Sequence, residues 1–307
     1  MGIISQKLAA IDIGSNAVRV LFAHVHQSDS YGVSFQKNAL VRVPIRLGAD
    51  VFEEGYVRKE NVKRLMKALK AFKLLMKVHQ IEDYRACATS ALREASNQQE
   101  IVEKMLAKTG ISIEVISGKK EAALISRTQA FDFLDAEKNY LYVDVGGGST
   151  ELSFFENAER SLSQSFKIGT VRQLKQQKLD WEPMDRWIRQ NKPSGAKIVL
   201  LGSGGNINKL FKLAQIKEGK PINTLKLQSL YQMLNQMTYE ERIVKLDLNP
   251  DRADVILPAA EIYLRAMQAS GAKQIFVPRF GLADGMIKEM YANRVSRVSS
   301  PESPIVS

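Results

Sequence analysis

The sequence contains very little cysteine, few aromatic residues and no long apolar run. One residue in 307 is a cysteine, so neither an intrachain disulfide nor a cysteine-based metal cluster can form. Cys87 lies in a short apolar run and is expected in the core. No apolar run approaches the roughly 20 residues needed to cross a bilayer, and the N-terminus lacks the layout of a signal peptide. These absences predict a cytoplasmic protein without a membrane span.

The charge balance is strongly basic. Forty-four Lys and Arg residues face 33 Asp and Glu residues, which gives a net charge of +11 and favours a polyanionic partner. Part of the excess forms a lysine stripe on a helix predicted over 59–79, the kind of stripe that is usually a solvated face. The stripe contains no aromatic platform for stacking bases. We therefore predict neither nucleic acid nor a membrane as the partner.

Glycine is concentrated in the stretch 140–155, which reads as strand, glycine turn and strand. Three consecutive glycines, Gly146, Gly147 and Gly148, cost more backbone entropy than a hairpin turn requires. Close approach of an anion to bare backbone N–H groups would explain them, with the Ser149 and Thr150 hydroxyls as further donors. Asp144, at the mouth of the loop, is placed to hold a cation. The alternative is a flexible hairpin.

A similar pattern occurs near the N-terminus. When residues 8–23 are laid against 140–155, Asp12 falls on Asp144 and Gly14 on Gly146. Both turns are followed by apolar strands, which suggests an internal duplication. Two such loops, one from each half, could clamp a phosphate chain between them.

Two other polar residues have competing interpretations. Arg93 follows a short apolar strand, near a helix start that Thr89 or Ser90 could cap, and is either a phosphate-binding fork or an exposed arginine. Glu121 lies in the first turn of the helix that begins near Ser117, where an acidic residue is also ordinary helix-dipole chemistry. Neither residue is assigned a role by its local sequence alone.

Strands and helices alternate twice along the chain, and each half opens with a hairpin. This predicts an α/β fold of two lobes with a cleft between them. The lobes are predicted over 1–134 and 135–293, and the last helix of the second could pack back on the first. The Ser- and Pro-rich tail, 294–307, is expected to be disordered.

Several motifs together resemble the exopolyphosphatase/guanosine pentaphosphate phosphatase family of the actin–sugar kinase–Hsp70 superfamily. They occur in the family's order and span nearly the whole globular chain: DIGSNAVR (12–19), ATSALREA (88–95), SGKKEAALI (117–125), DVGGGSTEL (144–152), GSGG (202–205) and NPDRADVI (249–256). The resemblance implies two actin-like (ribonuclease H-like) lobes and the short form of the family.

The resemblance also implies the chemistry: hydrolysis of a terminal phosphoanhydride in polyphosphate or guanosine pentaphosphate. Glu121 aligns with the glutamate that activates the attacking water. Asp12, Asp144 and Glu151 match the metal-binding carboxylates, for which Mg²⁺ is the expected ion. The phosphate-binding set corresponds to Ser15, Asn16, Arg93, Gly146, Gly147, Gly148, Ser149 and Thr150.

The family pattern is not followed everywhere. Lys120 stands where a second acid is common, and we expect it to lower the pKa of Glu121 and slow the reaction. Ala283 replaces a common Arg and Ala17 a common Ser. Besides an exopolyphosphatase, the sequence leaves open a guanosine pentaphosphate phosphatase and a polyphosphate- or alarmone-binding regulator with little turnover. A superfamily kinase ranks last, and a homodimer is an expectation from the family.

Overall fold

A computed structural model of the chain describes residues 4–128, 135, 137–157, 159–175, 179–193, 195 and 197–299. The strands are β1 (Ile4–Ile13), β2 (Val18–Ser28), β3 (Gly32–Val43), β4 (Asp83–Ala88), β5 (Glu114–Val115), β6 (Asn139–Val145), β7 (Thr150–Glu156), β8 (Glu159–Phe166), β9 (Ile198–Ser203), β10 (Ile222–Asn223) and β11 (Gln274–Phe276). The helices are α1 (Leu47–Glu54), α2 (Lys59–Val78), α3 (Ser90–Glu94), α4 (Gln98–Thr109), α5 (Gly118–Ile125), α6 (Thr170–Lys175), α7 (Glu182–Asn191), α8 (Gly205–Leu213), α9 (Thr224–Gln236), α10 (Tyr239–Leu246), α11 (Pro250–Ala253), α12 (Ile256–Ser270) and α13 (Leu282–Ser299).

The two halves of the chain build sheets of the same topology. In the first sheet, β1, β2 and β3 form an antiparallel meander, and β4 and β5 extend it in parallel on the other side of β1. In the second, β6, β7 and β8 form the meander, and β9 and β11 extend it in parallel. The short β10 adds an antiparallel edge. The repeat of the two hairpins in the sequence is therefore a repeat of the whole sheet.

Apolar periodicity in the sequence corresponds to three apolar clusters. One packs the first sheet against α1 to α4, and Leu65, Leu69 and Phe72 of α2 are fully buried in it, as the helical spacing predicts. A second packs the other sheet against α7, α8, α9 and α12. The third lies between the sheets and joins side chains of both to α5 and α13.

The last helix packs on the first lobe. Helix α13 contacts α5, β1, β2 and β4, and Met286 is fully buried there. Gly285 faces the α5 backbone so closely that an added Cβ would lie 2.0 Å from the Leu124 carbonyl oxygen. The helix continues to Ser299, so the tail predicted from 294 begins too early, and 300–307 lie outside the described residues.

The sequence predicts one long helix over 251–269, kinked at Pro258. The chain instead makes two helices, α11 and α12, and Pro258 lies in the first turn of α12, where its missing N–H costs no hydrogen bond. The predicted lobe boundary at 134–135 falls beside 129–134 and 136, which lie outside the described residues. No helix in the described part of the chain is both long and apolar enough to cross a membrane.

Candidate active site

A cavity of about 100 Å³ lies where the turns of the two hairpins meet. The β1–β2 turn and the β6–β7 turn face each other across it, and α5 and the β9–α8 loop complete its walls. Since a single water needs about 10–15 Å³, the cavity has room for a phosphate group and some water. The lining residues that the sequence predicted are Asp12, Ser15, Asn16, Glu121, Asp144, Gly146, Gly147, Gly148 and Ser149.

The glycines of the second turn bring the two lobes into contact. A Cβ at Gly147 would lie 2.8 Å from the Ser15 Cβ, and one at Gly148 would lie 2.2 Å from the Ser90 Oγ. Real Cβ atoms do not approach other atoms so closely. Packing between the lobes is thus sufficient to require glycine at these positions, besides the ligand approach that the sequence suggested.

Three buried polar atoms at the cavity have no hydrogen-bond partner among the described residues. They are the Ser15 Oγ, the Asn16 Oδ1 and the Glu121 Oε2. Leaving a buried polar group unpaired costs about 1–3 kcal/mol, so such groups are rarely retained without a ligand or water. Their convergence on one cavity indicates a site for a polar ligand.

Glu121 enters the cavity from the first turn of α5. Ser117 caps this helix by accepting a hydrogen bond from the Lys120 amide at 3.2 Å. The Glu121 side chain is buried, with the Arg93 Nη1 3.7 Å from its Oε2. Burial, followed by the negative charges of Glu151, Asp144 and Asp12, raises the pKa of Glu121 well above its ordinary value.

The predicted effect of Lys120 is wrong. Its Nζ pairs with Glu114, on the exposed side of α5, and the pKa of Glu121 is raised rather than lowered. The reason is directional: consecutive helical residues point to different faces, so adjacency in sequence does not place the two charges together.

Asp12 and Asp144 reach the cavity from equivalent strands of the two sheets. Asp12 is the last residue but one of β1 and lies opposite Arg19, whose Nη1 is 3.3 Å from the Asp12 Oδ2, and Asp144 is the last residue but one of β6 and lies opposite Glu151. Burial is the main cause that raises the pKa of Asp12, and Arg19 opposes it. Burial and then the Glu151 charge raise the pKa of Asp144 to about 7.

This donor set fits Mg²⁺ bound partly through a substrate. Among the described residues no group of three or more His, Cys, Asp and Glu side chains is arranged to hold a metal ion. Mg²⁺ does not need such a cage, because it is commonly bound by one or two carboxylates plus phosphate oxygens and water. Asp12 and Asp144, with pKa values raised by burial, are the two carboxylates that a cation in this cavity would neutralise.

Three predicted site residues do not line the cavity. Glu151 is buried behind it, where its Oε1 accepts hydrogen bonds from Ser149 at 2.7 Å and from Ser165 at 2.9 Å. The Thr150 hydroxyl donates to the Ile168 carbonyl at 2.6 Å. Arg93 lies in the short helix α3, and its Nη1 donates to the Ile116 carbonyl at 2.7 Å. The geometry gives these residues a supporting place around the site.

Sequence reasoning missed several cavity residues, above all three arginines. Arg19, Arg42 and Arg252 line the cavity, and they also line an adjoining outer cavity of about 390 Å³ that contains Lys37 and Arg279. Arg19 and Arg252 fall inside two of the quoted motifs, which was the available signal. Arg42 pairs with Asp251 of the other lobe, a contact that no local pattern indicates. Lining residues outside the predicted site set also include Gly14, Thr89, Ser90, Thr170, Ser203, Gly204, Gly205 and Asn206.

Known proteins are similar to this chain in sequence and in fold. The chain is 29% identical to exopolyphosphatase 2 of Mycobacterium tuberculosis over 91% of this chain and 97% of that protein. It is 28% identical to the guanosine-5'-triphosphate,3'-diphosphate pyrophosphatase of Photobacterium profundum, over 94% of this chain and 60% of that longer relative.

A solved structure supports the fold. The crystal structure of an exopolyphosphatase from Cytophaga hutchinsonii superposes with a TM-score of 0.81 at 22% identity, covering 94% of this chain and 98% of that one. The predicted α/β class with two actin-like lobes is confirmed. The model of the Ppx/GppA phosphatase family matches residues 28–191. With the motifs and the fold in agreement, the chain belongs to the Ppx/GppA phosphatase family.

Proposed function

We propose that this protein is an exopolyphosphatase that removes the terminal phosphate of inorganic polyphosphate. The observation that carries the proposal is the buried Glu121 carboxylate, whose Oε2 has no hydrogen-bond partner among the described residues and faces the cavity between the two loops. A carboxylate in that position is suited to orient a water molecule and to accept its proton. Burial raises the pKa of Glu121, which makes its ionised form a stronger base.

The proposed reaction is an in-line displacement. The water oxygen attacks the terminal phosphorus as its proton passes to Glu121, and the phosphoanhydride P–O bond breaks with its electron pair leaving on the shortened chain. The products are orthophosphate and a polyphosphate one unit shorter. Positioning and charge stabilisation account for most of the catalysis in such transfers.

The loops would hold the phosphate during this step. The Ser15 hydroxyl and backbone N–H groups of the glycine turn lie at the cavity, where they can donate to phosphate oxygens. Mg²⁺, when bound through Asp12 and Asp144, would neutralise charge on the phosphate oxygens. Arg19, Arg42 and Arg252 also line the outer cavity, where they would bind the phosphates of the remaining polyphosphate.

A second candidate substrate is guanosine pentaphosphate. A relative named as a guanosine-5'-triphosphate,3'-diphosphate pyrophosphatase is 28% identical over 94% of this chain, and the outer cavity of about 390 Å³ could receive the nucleoside part. A regulator that binds the polyanion with little turnover is the alternative of another class. A cytoplasmic location and a homodimer remain predictions.

Phosphate release tests the proposal. The protein would be assayed with long-chain polyphosphate and with guanosine pentaphosphate, each with Mg²⁺ and with EDTA. We expect Mg²⁺-dependent release, with a higher kcat/KM for polyphosphate. A higher value for the nucleotide would favour the second candidate. Binding of both polyanions without release of phosphate would contradict the hydrolase and favour the regulator.

A further inference from the structure

A buried arginine of the second lobe, Arg172 in α6, reaches across to the first lobe. The residue is 5% exposed, and it does not line the cavity. Its Nη2 donates to the Glu94 Oε1 at 2.6 Å, and its guanidinium carbon lies 4.0 Å from the centroid of the Phe52 ring. Both partners belong to the first lobe, to α3 and α1. A buried cation is costly unless it is paired, and these contacts compensate for that cost.

The same guanidinium also holds the glycine turn. Its Nε donates to the Gly148 carbonyl at 2.7 Å, and the Arg172 and Val171 amides both donate to the Gly147 carbonyl, at 3.0 and 2.8 Å. The Gly148 carbonyl belongs to the peptide unit that also contains the Ser149 N–H group, and because a peptide unit is planar, holding the carbonyl fixes the direction of that N–H as well. Ser149 lines the cavity.

The partner on the other lobe is connected to the cavity too. The Ser90 hydroxyl, which lines the cavity, lies 3.4 Å from the Glu94 Oε1 that Arg172 also contacts. Gly148 packs so closely on Ser90 that an added Cβ would lie 2.2 Å from its Oγ. The pair Arg172–Glu94 thus joins a cavity residue of one lobe to the glycine turn of the other.

We propose that Arg172 is a positioning residue, which through Glu94 sets the glycine turn of the second lobe against the first lobe in the geometry needed for phosphoryl transfer. The inference rests on the proposed function for its catalytic meaning. The fork of the guanidinium is essential, because one side chain must donate in two directions while it stacks on a ring. A lysine keeps the charge but presents a compact ammonium without this fork.

The test compares Arg172→Lys and Glu94→Gln, alone and combined, with the parent. Arg189→Gln is the surface control, since Arg189 is exposed in the same lobe and pairs with Glu182. Ile188→Val is the stability control, because Ile188 is fully buried in the core of the second lobe. The measurements are kcat and KM with polyphosphate, the Kd of inorganic phosphate in EDTA and the midpoint of thermal unfolding.

We expect each single variant to lower kcat by about 10- to 100-fold, since a misplacement of 1 Å can cost about 10²-fold. KM should change by less than about threefold, because the polyphosphate chain also contacts the arginines of the outer cavity, whereas the Kd of inorganic phosphate, which depends on the turn alone, should rise several-fold. The kcat of the double variant should be no lower than that of the more impaired single variant, since both substitutions remove the same Arg172–Glu94 interaction. Both controls should keep kcat and the phosphate Kd within about twofold of the parent.

Two results would overturn the inference. One is a parent-like kcat and phosphate Kd in folded Arg172→Lys and Glu94→Gln. The other is a loss of kcat and of phosphate binding in both variants that Ile188→Val reproduces when its unfolding midpoint falls by the same amount. In that case the Arg172–Glu94 contact would only stabilise the fold. If the parent releases no phosphate from any substrate, the proposed function fails. The positioning role is then decided by the phosphate Kd of Arg172→Lys and Glu94→Gln, compared with the parent and the two controls.

Discussion

At the scale of single residues, the site is defined by carboxylates that are buried close to one another. Asp12, Asp144 and Glu121 come from three elements and face one cavity. Each has a raised pKa, with burial as the largest cause, and the other acids of the group raise those of Asp144 and Glu121 further. Such an arrangement opposes folding of the metal-free protein at neutral pH and favours binding of a cation. The free energy of unfolding of the metal-free protein should therefore depend on pH through these carboxylates.

Asp144→Asn should stabilise the metal-free protein at alkaline pH. Because the pKa of Asp144 is about 7 in the folded state, the stability it contributes is complete below its unfolded pKa of about 4 and is lost as pH rises towards 7. In EDTA, the variant should exceed the parent in free energy of unfolding by a few kcal/mol at about pH 8 and by less at about pH 5. Urea denaturation at the two pH values measures this difference.

The control for that experiment is Asp29→Asn, on the exposed β2–β3 turn. Its effect on the free energy of unfolding should stay within about 0.5 kcal/mol at both pH values. An Asp144→Asn variant whose advantage over the parent is the same at both pH values would contradict the assignment.

At the scale of elements, the glycine turn between β6 and β7 fits only because its residues lack side chains. A Cβ at Gly148 would lie 2.2 Å from the Ser90 Oγ and 2.3 Å from the Phe52 Cζ. Gly148→Ala should therefore push the lobes apart, lowering the free energy of unfolding by about 1–3 kcal/mol. It should lower kcat/KM by at least about 10²-fold, because the turn lines the cavity.

Gly219→Ala is the matched control for the turn. An added Cβ there has no atom within 4 Å, but the backbone φ of +78° makes any side chain strained. The change should cost about 1–2 kcal/mol of stability and leave kcat/KM unchanged. Equal catalytic losses in the two variants would show that the turn's packing is not specific to the site.

Elements were predicted from the sequence wherever the signal was local. The apolar spacing of α2, the start of α5 near Ser117 and the two hairpins with Asp12 and Asp144 at equivalent positions were all predicted, and the structure contains them. The role of a residue was harder to predict where it depends on the direction in which the side chain points. Glu151, two residues from Ser149, does not line the cavity, because hydrogen bonds from Ser149 and Ser165 hold its Oε1 behind it.

At the scale of the whole molecule, contacts between the lobes were beyond local reasoning. Arg46 Nη1 lies 2.6 Å from the Asp254 Oδ2, and the Asn16 Nδ2 donates to the Asp251 carbonyl at 3.0 Å. Residues in each of these contacts are more than 200 positions apart, so periodicity, capping and turn chemistry carry no information about them. The same holds for Arg172, whose pattern in the sequence is that of any helical arginine.

The duplication of the sheet explains why the site lies where it does. In each sheet the first and fourth strands of the repeat, β1 with β4 and β6 with β9, run in parallel, so their ends meet at one edge. The two edges face each other, and a phosphate between them would be contacted by loops from both lobes. In the proposed reaction this cleft performs hydrolysis with Glu121 as the base.

The most direct measurement is phosphate release from polyphosphate by Glu121→Gln, with Glu100→Gln, on the exposed face of α4, as the control. Loss of a positioned general base typically costs about 10²–10⁴-fold, so the account predicts a fall in kcat of that size. Binding of polyphosphate by Glu121→Gln and the kcat of Glu100→Gln should match those of the parent. A parent-like kcat in folded Glu121→Gln would contradict the account.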